Sequence, residues 1–181
     1  GGTIDKYEGD AIIAFWNAPT SVEDHELKAL YAAMECQKKL EDMRPSYTTR
    51  LGSPVFMRIG INSGDAVVGN LGSRERFDYT MIGDSVNLAS RLEGLNKEFG
   101  TYTMCSQDLK EATENKKPEI KWRELATVSV VGKKAVLTVF EPIPMDEYQE
   151  KETILNTFEK GRKLFYKGEF TMKAAVFYKE N

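Results

Sequence analysis

Four side chains in this sequence are spaced so that they can handle a charged ligand. Asn87 and Arg91 stand four residues apart in the stretch SVNLASRLEGLNKEF. On a helix that spacing puts both on one face, so amide and guanidinium can contact one charged group together. The other two, Lys6 and Asp10, flank a tight Glu8-Gly9 turn between two strand-forming runs. A carboxylate at the start of an apolar strand is either a solvated turn residue or a ligand. Taken locally, each pair also reads as ordinary solvated surface.

The elements that must position these residues can be read from period and punctuation. Thr3 to Tyr7 and Ala11 to Trp16 form the arms of a hairpin, with a glycine at the turn, and AIIAFW is apolar enough for a central strand. A helix is expected from the acidic segment Ser21 to Asp24 to about Met43, followed by a polar loop to Pro54. VFMRIGINSG alternates as a strand, and beyond the turn Asn62 to Asp65 the run AVVGNL is expected to pair antiparallel with it. After the charged loop SRERFD come a short strand, Tyr79 to Ile82, and a helix capped by Asp84 or Ser85 that runs to Phe99. Val86, Ala89, Leu92, Leu95 and Phe99 are its buried stripe, and Gly100 closes it. TYTMCS is a further strand, then a polar helical stretch, then a hairpin turning at Gly132-Lys133-Lys134. Intermixed strands and helices with many hairpins define an α+β fold up to about Pro144. Met145 to Asn181 reads as two helices broken at Gly168.

Composition narrows the chemistry. The chain has 181 residues, is 41% hydrophobic and 29% charged, and carries a net charge of −3, which suits a globular domain without a general affinity for nucleic acid or anionic membranes. His25 is the only histidine, so a histidine zinc site or a Ser-His-Asp triad is not expected. Cys36 and Cys105 lack metal-ligand spacing and read as free thiols. No apolar run approaches the roughly 20 residues that span a bilayer.

Three stretches, DKYEGDAIIAFW, RIGINSGDAVVGNLGS and DYTMIGDSVNLASRLE, resemble the catalytic domain of class III nucleotidyl cyclases. The likeness runs from Ile4 to about Phe140. It implies a ferredoxin-like domain with a mostly antiparallel sheet, helices on one face and a short helical extension. It also implies roles. Asp10 matches a metal-binding aspartate, Lys6 and Thr80 the purine-reading pair, and Asn87 and Arg91 the pair that orients the ribose and steadies the reacting phosphate. The reaction is attack of the ribose 3′ oxygen on the α-phosphate with loss of pyrophosphate, assisted by two Mg²⁺ or Mn²⁺ ions at a site between two subunits. Lys6 can only donate and suits adenine N1, so the Lys6/Thr80 pair favours ATP over GTP. A homodimer follows, because one chain carries residues for both halves of the site.

Against the family pattern, a first strand bearing a Phe-x-Asp metal ligand, with one or two helices, would precede the first residue. Asp65, Asp84 and Asp108 read as turn or cap residues rather than substitutes, so the fragment alone is expected to be inactive. Val131 stands where many members carry a cation for the terminal phosphates, which leaves Lys133 as the candidate. Residues 1–144 are thus expected to be the catalytic domain and 145–181 a helical tail, with Gly168, Phe170, Ala174 and Tyr178 loosely tetratricopeptide-like. The parent protein is expected to be an adenylyl cyclase with an upstream sensory region, cytoplasmic at this domain even if membrane-anchored elsewhere. The competing expectation is a non-catalytic regulatory or dimerisation module. A diguanylate cyclase is set aside, because GGTID is not its GG[DE]EF hairpin.

Overall fold

The computed structural model describes residues 1–73, 77–116, 119–129 and 136–168. It is α+β, and four of the five strand pairings among the described residues are antiparallel. Three sheets share the strands. β1 (Thr3–Glu8) pairs with β2 (Ala11–Phe15), and β4 (Val67–Gly72) pairs with β5 (Phe77–Ile82). The third sheet has the order β3-β6-β8-β7, from Ile59–Ile61, Thr103–Ser106, Val136–Pro144 and Ile120–Ser129. The turn of the β7–β8 hairpin lies outside the described residues, and so does Lys133.

The opening hairpin forms as expected, with Gly9 at φ +61° in the left-handed region that favours glycine. The strand β2 is not central, however. Among the described residues its only hydrogen-bonded neighbour is β1, and Ile12 is 60% exposed while Phe15 at the other end is buried. An apolar run reports burial potential, not the number of neighbouring strands.

Two further expectations are corrected. The first helix, α1 (His25–Leu51), runs well past Met43 and through Pro45. Proline removes one helical donor, but the carbonyl it deprives belongs to Glu41, on an exposed stretch where water can take that bond. The last turns are then held by the Thr48 hydroxyl on the Arg44 carbonyl (2.9 Å) and by Gly52, whose N–H reaches the Thr48 carbonyl. The second correction concerns pairing. β3 does not form a hairpin with β4; it runs parallel to β6, and β4 pairs instead with β5. The polar turn between β3 and β4 is engaged elsewhere: Asn62 Nδ2 donates to the Ser85 carbonyl (3.0 Å), and Ser85 Oγ donates to the Asp65 carbonyl (2.7 Å). Side chains of α1 also bind the chain before β3, Gln37 on the Met57 carbonyl and Arg44 on that of Val55. Only three residues of the long alternating run are therefore strand.

Two apolar clusters flank β6. One joins Leu30 and Ala33 of α1 to Ile61, Cys105, Leu109 and Ile120, with Leu109 on α3 (Gln107–Thr113). The other joins Leu92 of α2 (Asp84–Phe99) to Met104, Leu125 and Val139. Successive strand residues point to opposite faces, and Met104 and Cys105 are both fully buried, so helices are distributed over the four-stranded sheet rather than confined to one side.

The last described helix, α4 (Met145–Tyr166), docks on β7 through charge and rings. Arg162 pairs with Glu124, and the Arg123 guanidinium lies 3.9 Å from the Phe158 ring centroid. Gly168 follows at φ +73°. The rest of the tetratricopeptide-like pattern lies outside the described residues. No described helix is long and apolar enough to cross a membrane.

Both cysteines are free, Cys36 exposed and Cys105 buried, and burial pushes the Cys105 thiol far up from its ordinary range. Because the thiolate is the nucleophile, a colorimetric disulfide reagent should label Cys36 in the folded chain and Cys105 only after unfolding. Equal labelling of both in the native state would contradict this packing.

Candidate active site

The helix α2 is placed by a close approach to β3. A Cβ built on Gly60 would lie 2.2 Å from the Ala89 carbonyl oxygen and 2.3 Å from the Glu93 nitrogen, so only glycine lets the helix backbone sit this near the strand. Asn96 locks the far end. Its side chain is fully buried, its Nδ2 donates to the carbonyls of Ile59 (3.1 Å) and Leu92, and its Oδ1 accepts from the Thr101 hydroxyl (2.8 Å). Gly100, left-handed at φ +64°, ends the helix with its N–H on the Asn96 carbonyl. The near end is tied by the Asn62 and Ser85 bonds described above. With Leu92 buried and Val86, Ala89, Leu95 and Phe99 half-buried, Asn87 and Arg91 are left on the exposed face, as the spacing predicted. The expected side-chain cap is absent, since Gly83 occupies the N-cap position, though Asp84 in the first turn suits the positive end of the helix dipole.

Lys6, Asp10 and Thr80 sit on two hairpins that touch. Phe15 of β2 packs against Tyr79 of β5, with ring centroids 6.2 Å apart, and β1 lies beside β5. Thr80, half-buried, follows Tyr79 directly and stands opposite Gly69 in the β4–β5 register, where a Cβ would meet nothing within 4 Å. The hydroxyl therefore has open space beside it. Lys6 is half-buried, with Nζ 3.6 Å from Asp5 Oδ2. Asp10 is exposed at the hairpin tip. The chain leaves β5 at Ile82 and enters α2 two residues later, so the Thr80 strand leads straight into the helix that carries Asn87 and Arg91.

The fit to a metal centre is partial. Among the described residues no group of three or more His, Cys, Asp or Glu is placed to hold an ion. Asp10 offers one exposed carboxylate, which suits one coordination position of a Mg²⁺ whose others are filled by phosphate oxygens and water. A two-ion centre does not fit the described residues alone. The cavity between α1 and the start of α4, lined by Tyr31, Met34, Ile120 and Met145 among others, contains none of these candidates.

Comparison with known proteins identifies the family. Residues 5–141 match the profile of the adenylate and guanylate cyclase catalytic domain. The chain belongs to this family. The cyclase domain is 38% identical over 143 residues to adenylate cyclase 1 of Rhizobium meliloti (strain 1021), covering 78% of this chain and 21% of that protein. It is 39% identical over 110 residues to an adenylate cyclase of Anabaena cylindrica, covering 60% of this chain and 22% of that protein. The chain thus spans about a fifth of the length of these relatives. Among solved structures, the adenylyl cyclase CyaB from P. aeruginosa superposes with a TM-score of 0.69 at 27% identity, over 78% of this chain and 71% of that one. The guanylyl cyclase Cya2 gives 0.67 at 34% identity, over 78% and 69%. Proteins named for either purine are therefore similar to this cyclase domain, and base choice has to be argued from residues.

Sequence reasoning placed Gly60 in a strand without assigning it a task, and it passed over Asn96 and Asp5. A glycine inside an alternating strand was a readable signal of close backbone approach. Nothing local marked Asn96 as buried. The Gly60 contact makes a paired prediction. Gly60→Ala should destabilise the domain by about 1–3 kcal/mol, because the obstructing atoms are backbone. Gly94→Ala, on the same helix with open space around it, should stabilise by about 0.5–1 kcal/mol. Urea midpoints of the two variants measure the difference, and a neutral Gly60→Ala would mean that α2 does not lie this close to β3.

Proposed function

We propose that the cyclase domain converts ATP to cyclic AMP and pyrophosphate in a signalling protein. The observation that carries this reading is the abutment of the two hairpins, which brings a donor-only side chain, Lys6, onto a strand beside the one holding Thr80. A lysine donates to adenine N1, which has a lone pair, whereas guanine presents an N–H at that position. The Thr80 hydroxyl, with open space opposite Gly69, can accept from the adenine amine.

Asn87 and Arg91, exposed on α2, orient the ribose and meet the charge that builds on the α-phosphate as the 3′ oxygen attacks. Divalent ions, Mg²⁺ or Mn²⁺, supply Lewis-acid stabilisation of the phosphates when bound, and Asp10 is the residue of this chain that would hold one. Lys133 remains the candidate for the terminal phosphates.

The reading places each active site between two copies of the domain, with Asp10 from one and Lys6, Thr80, Asn87 and Arg91 from the other. Its support is the apolar surface around the candidates. Ile4, Tyr7 and Ile12 of the first hairpin and Val67, Phe77 and Ile82 of the second are each more than half exposed, a pattern that a second subunit would cover. In the same reading residues 1–144 are the catalytic unit and 145–181 a helical tail, cytoplasmic, with regulation supplied by other parts of the parent protein. With one candidate metal carboxylate, the 181-residue chain alone is inactive.

The test is cyclic nucleotide formation by the full-length protein from ATP and from GTP with Mn²⁺, read by mass spectrometry. Cyclic AMP is the expected product. Arg91→Ala should lower kcat by roughly 100-fold, about 3 kcal/mol of lost transition-state stabilisation. Lys6→Glu should cut the ratio of ATP to GTP kcat/KM roughly tenfold or more, since it replaces a donor by an acceptor. A folded, dimeric full-length protein that forms no cyclic nucleotide would instead be the regulatory module that the single carboxylate also suits.

A further inference from the structure

The strand that carries Lys6 is irregular. Ile4 stands opposite Ala14 and Lys6 opposite Ile13, so Asp5 is an extra residue with no partner across the hairpin, a β-bulge. In a regular strand neighbouring side chains point to opposite faces. Here the bulge lets the Asp5 carboxylate and the Lys6 ammonium approach to 3.6 Å. The two ends of this pair differ sharply: the Asp5 side chain is 3% exposed and that of Lys6 40%. Moreover, Asp5 Oδ1 is buried with no hydrogen-bond partner among the described residues.

A buried carboxylate with an unused oxygen is a costly feature. The ion pair joins adjacent residues, so it closes no loop and ties no two elements together. An apolar residue in its place would favour folding more. Among the described residues its one charged contact is Lys6. We infer that Asp5 is a positioning residue for Lys6, holding the ammonium by charge attraction so that its N–H groups are aimed at the purine. This rests on the reading of Lys6 as the base-reading residue. Lysine carries four flexible carbons, and ordering them on binding weakens affinity; a buried anchor at the ammonium meets part of that cost before ATP arrives. Asp5 thereby contributes to the preference for ATP over GTP without touching either.

The experiment compares the full-length wild-type protein with Asp5→Asn, Lys6→Ala and the double variant. It reads ATP and GTP binding by calorimetry together with kcat and KM. Asp5→Asn is nearly isosteric and removes the charge. It should weaken ATP binding and raise KM for ATP by about tenfold, with kcat within about twofold and GTP unaffected, as expected for one charge-assisted contact. In the Lys6→Ala background the same substitution should change nothing further. If Asp5→Asn lowers the melting temperature by more than a few degrees, Asp5→Glu replaces it; moving the charge by one methylene should still weaken ATP selectively. Loss of ATP and GTP binding in equal measure, loss that persists without Lys6, or no loss at all would overturn the assignment and leave the ATP reading standing. A wild-type protein with no preference for ATP would overturn the base-reading role of Lys6, and this assignment with it.

Discussion

The contact between α2 and β3 is the constraint on which the candidate site depends. A helix carries functional residues accurately only if its own position is fixed, and here one missing side chain fixes it. At Gly60 the strand backbone lies against the carbonyl of Ala89 and the nitrogen of Glu93. That leaves no room for the helix to slide, and buried Asn96 sets its axial position by bonding to the carbonyl of the residue before Gly60. The helix start is bound to the segment that follows β3. Three anchors along one strand and its continuation therefore determine where Asn87 and Arg91 stand.

The hairpins obey a different logic. Phe15 packs against Tyr79 between them, and much of their remaining apolar surface faces outward. Apolar area left in water forgoes roughly 25 cal/mol per Å². A hairpin pair of this kind is poorly stabilised from within and gains most from being covered. The polar candidates Lys6 and Asp10 lie on the same hairpin as that uncovered surface, so assembly and site formation are coupled in one element. The four-stranded sheet, by contrast, buries two apolar clusters and carries the docked α4.

Much of this was legible in the sequence where the signal is local. The Glu8-Gly9 turn, the limits of α2, its exposed Asn87–Arg91 pair and its glycine stop each depend on residues within a few positions of one another. The failures share a cause. Which strand pairs with β3 is decided by the engagement of Asn62 and Ser85 across more than twenty positions, and alternation carries no trace of that. The sequence places the end of α1 near Met43 because the residues beyond it are polar, whereas the exposure that lets α1 continue through Pro45 is set by packing. Membership of the cyclase family was legible in three motifs and is carried by the match over residues 5–141.

The irregularity in β1 also divides the opening hairpin into two phases. From the tip back to Lys6, each residue is registered against Ala11, Ile12 and Ile13 and counts from the Gly9 turn. On the far side of Asp5, Thr3 and Ile4 count from Phe15 and Ala14 instead. A strand of period two without such a joint transmits every one-residue insertion along its whole length, swapping inward and outward faces. With the joint, a length change at the base can be taken up before it reaches the tip. The segment bearing Lys6 and Asp10 therefore keeps its register from the Gly9 turn, independent of the residues at the base of the hairpin.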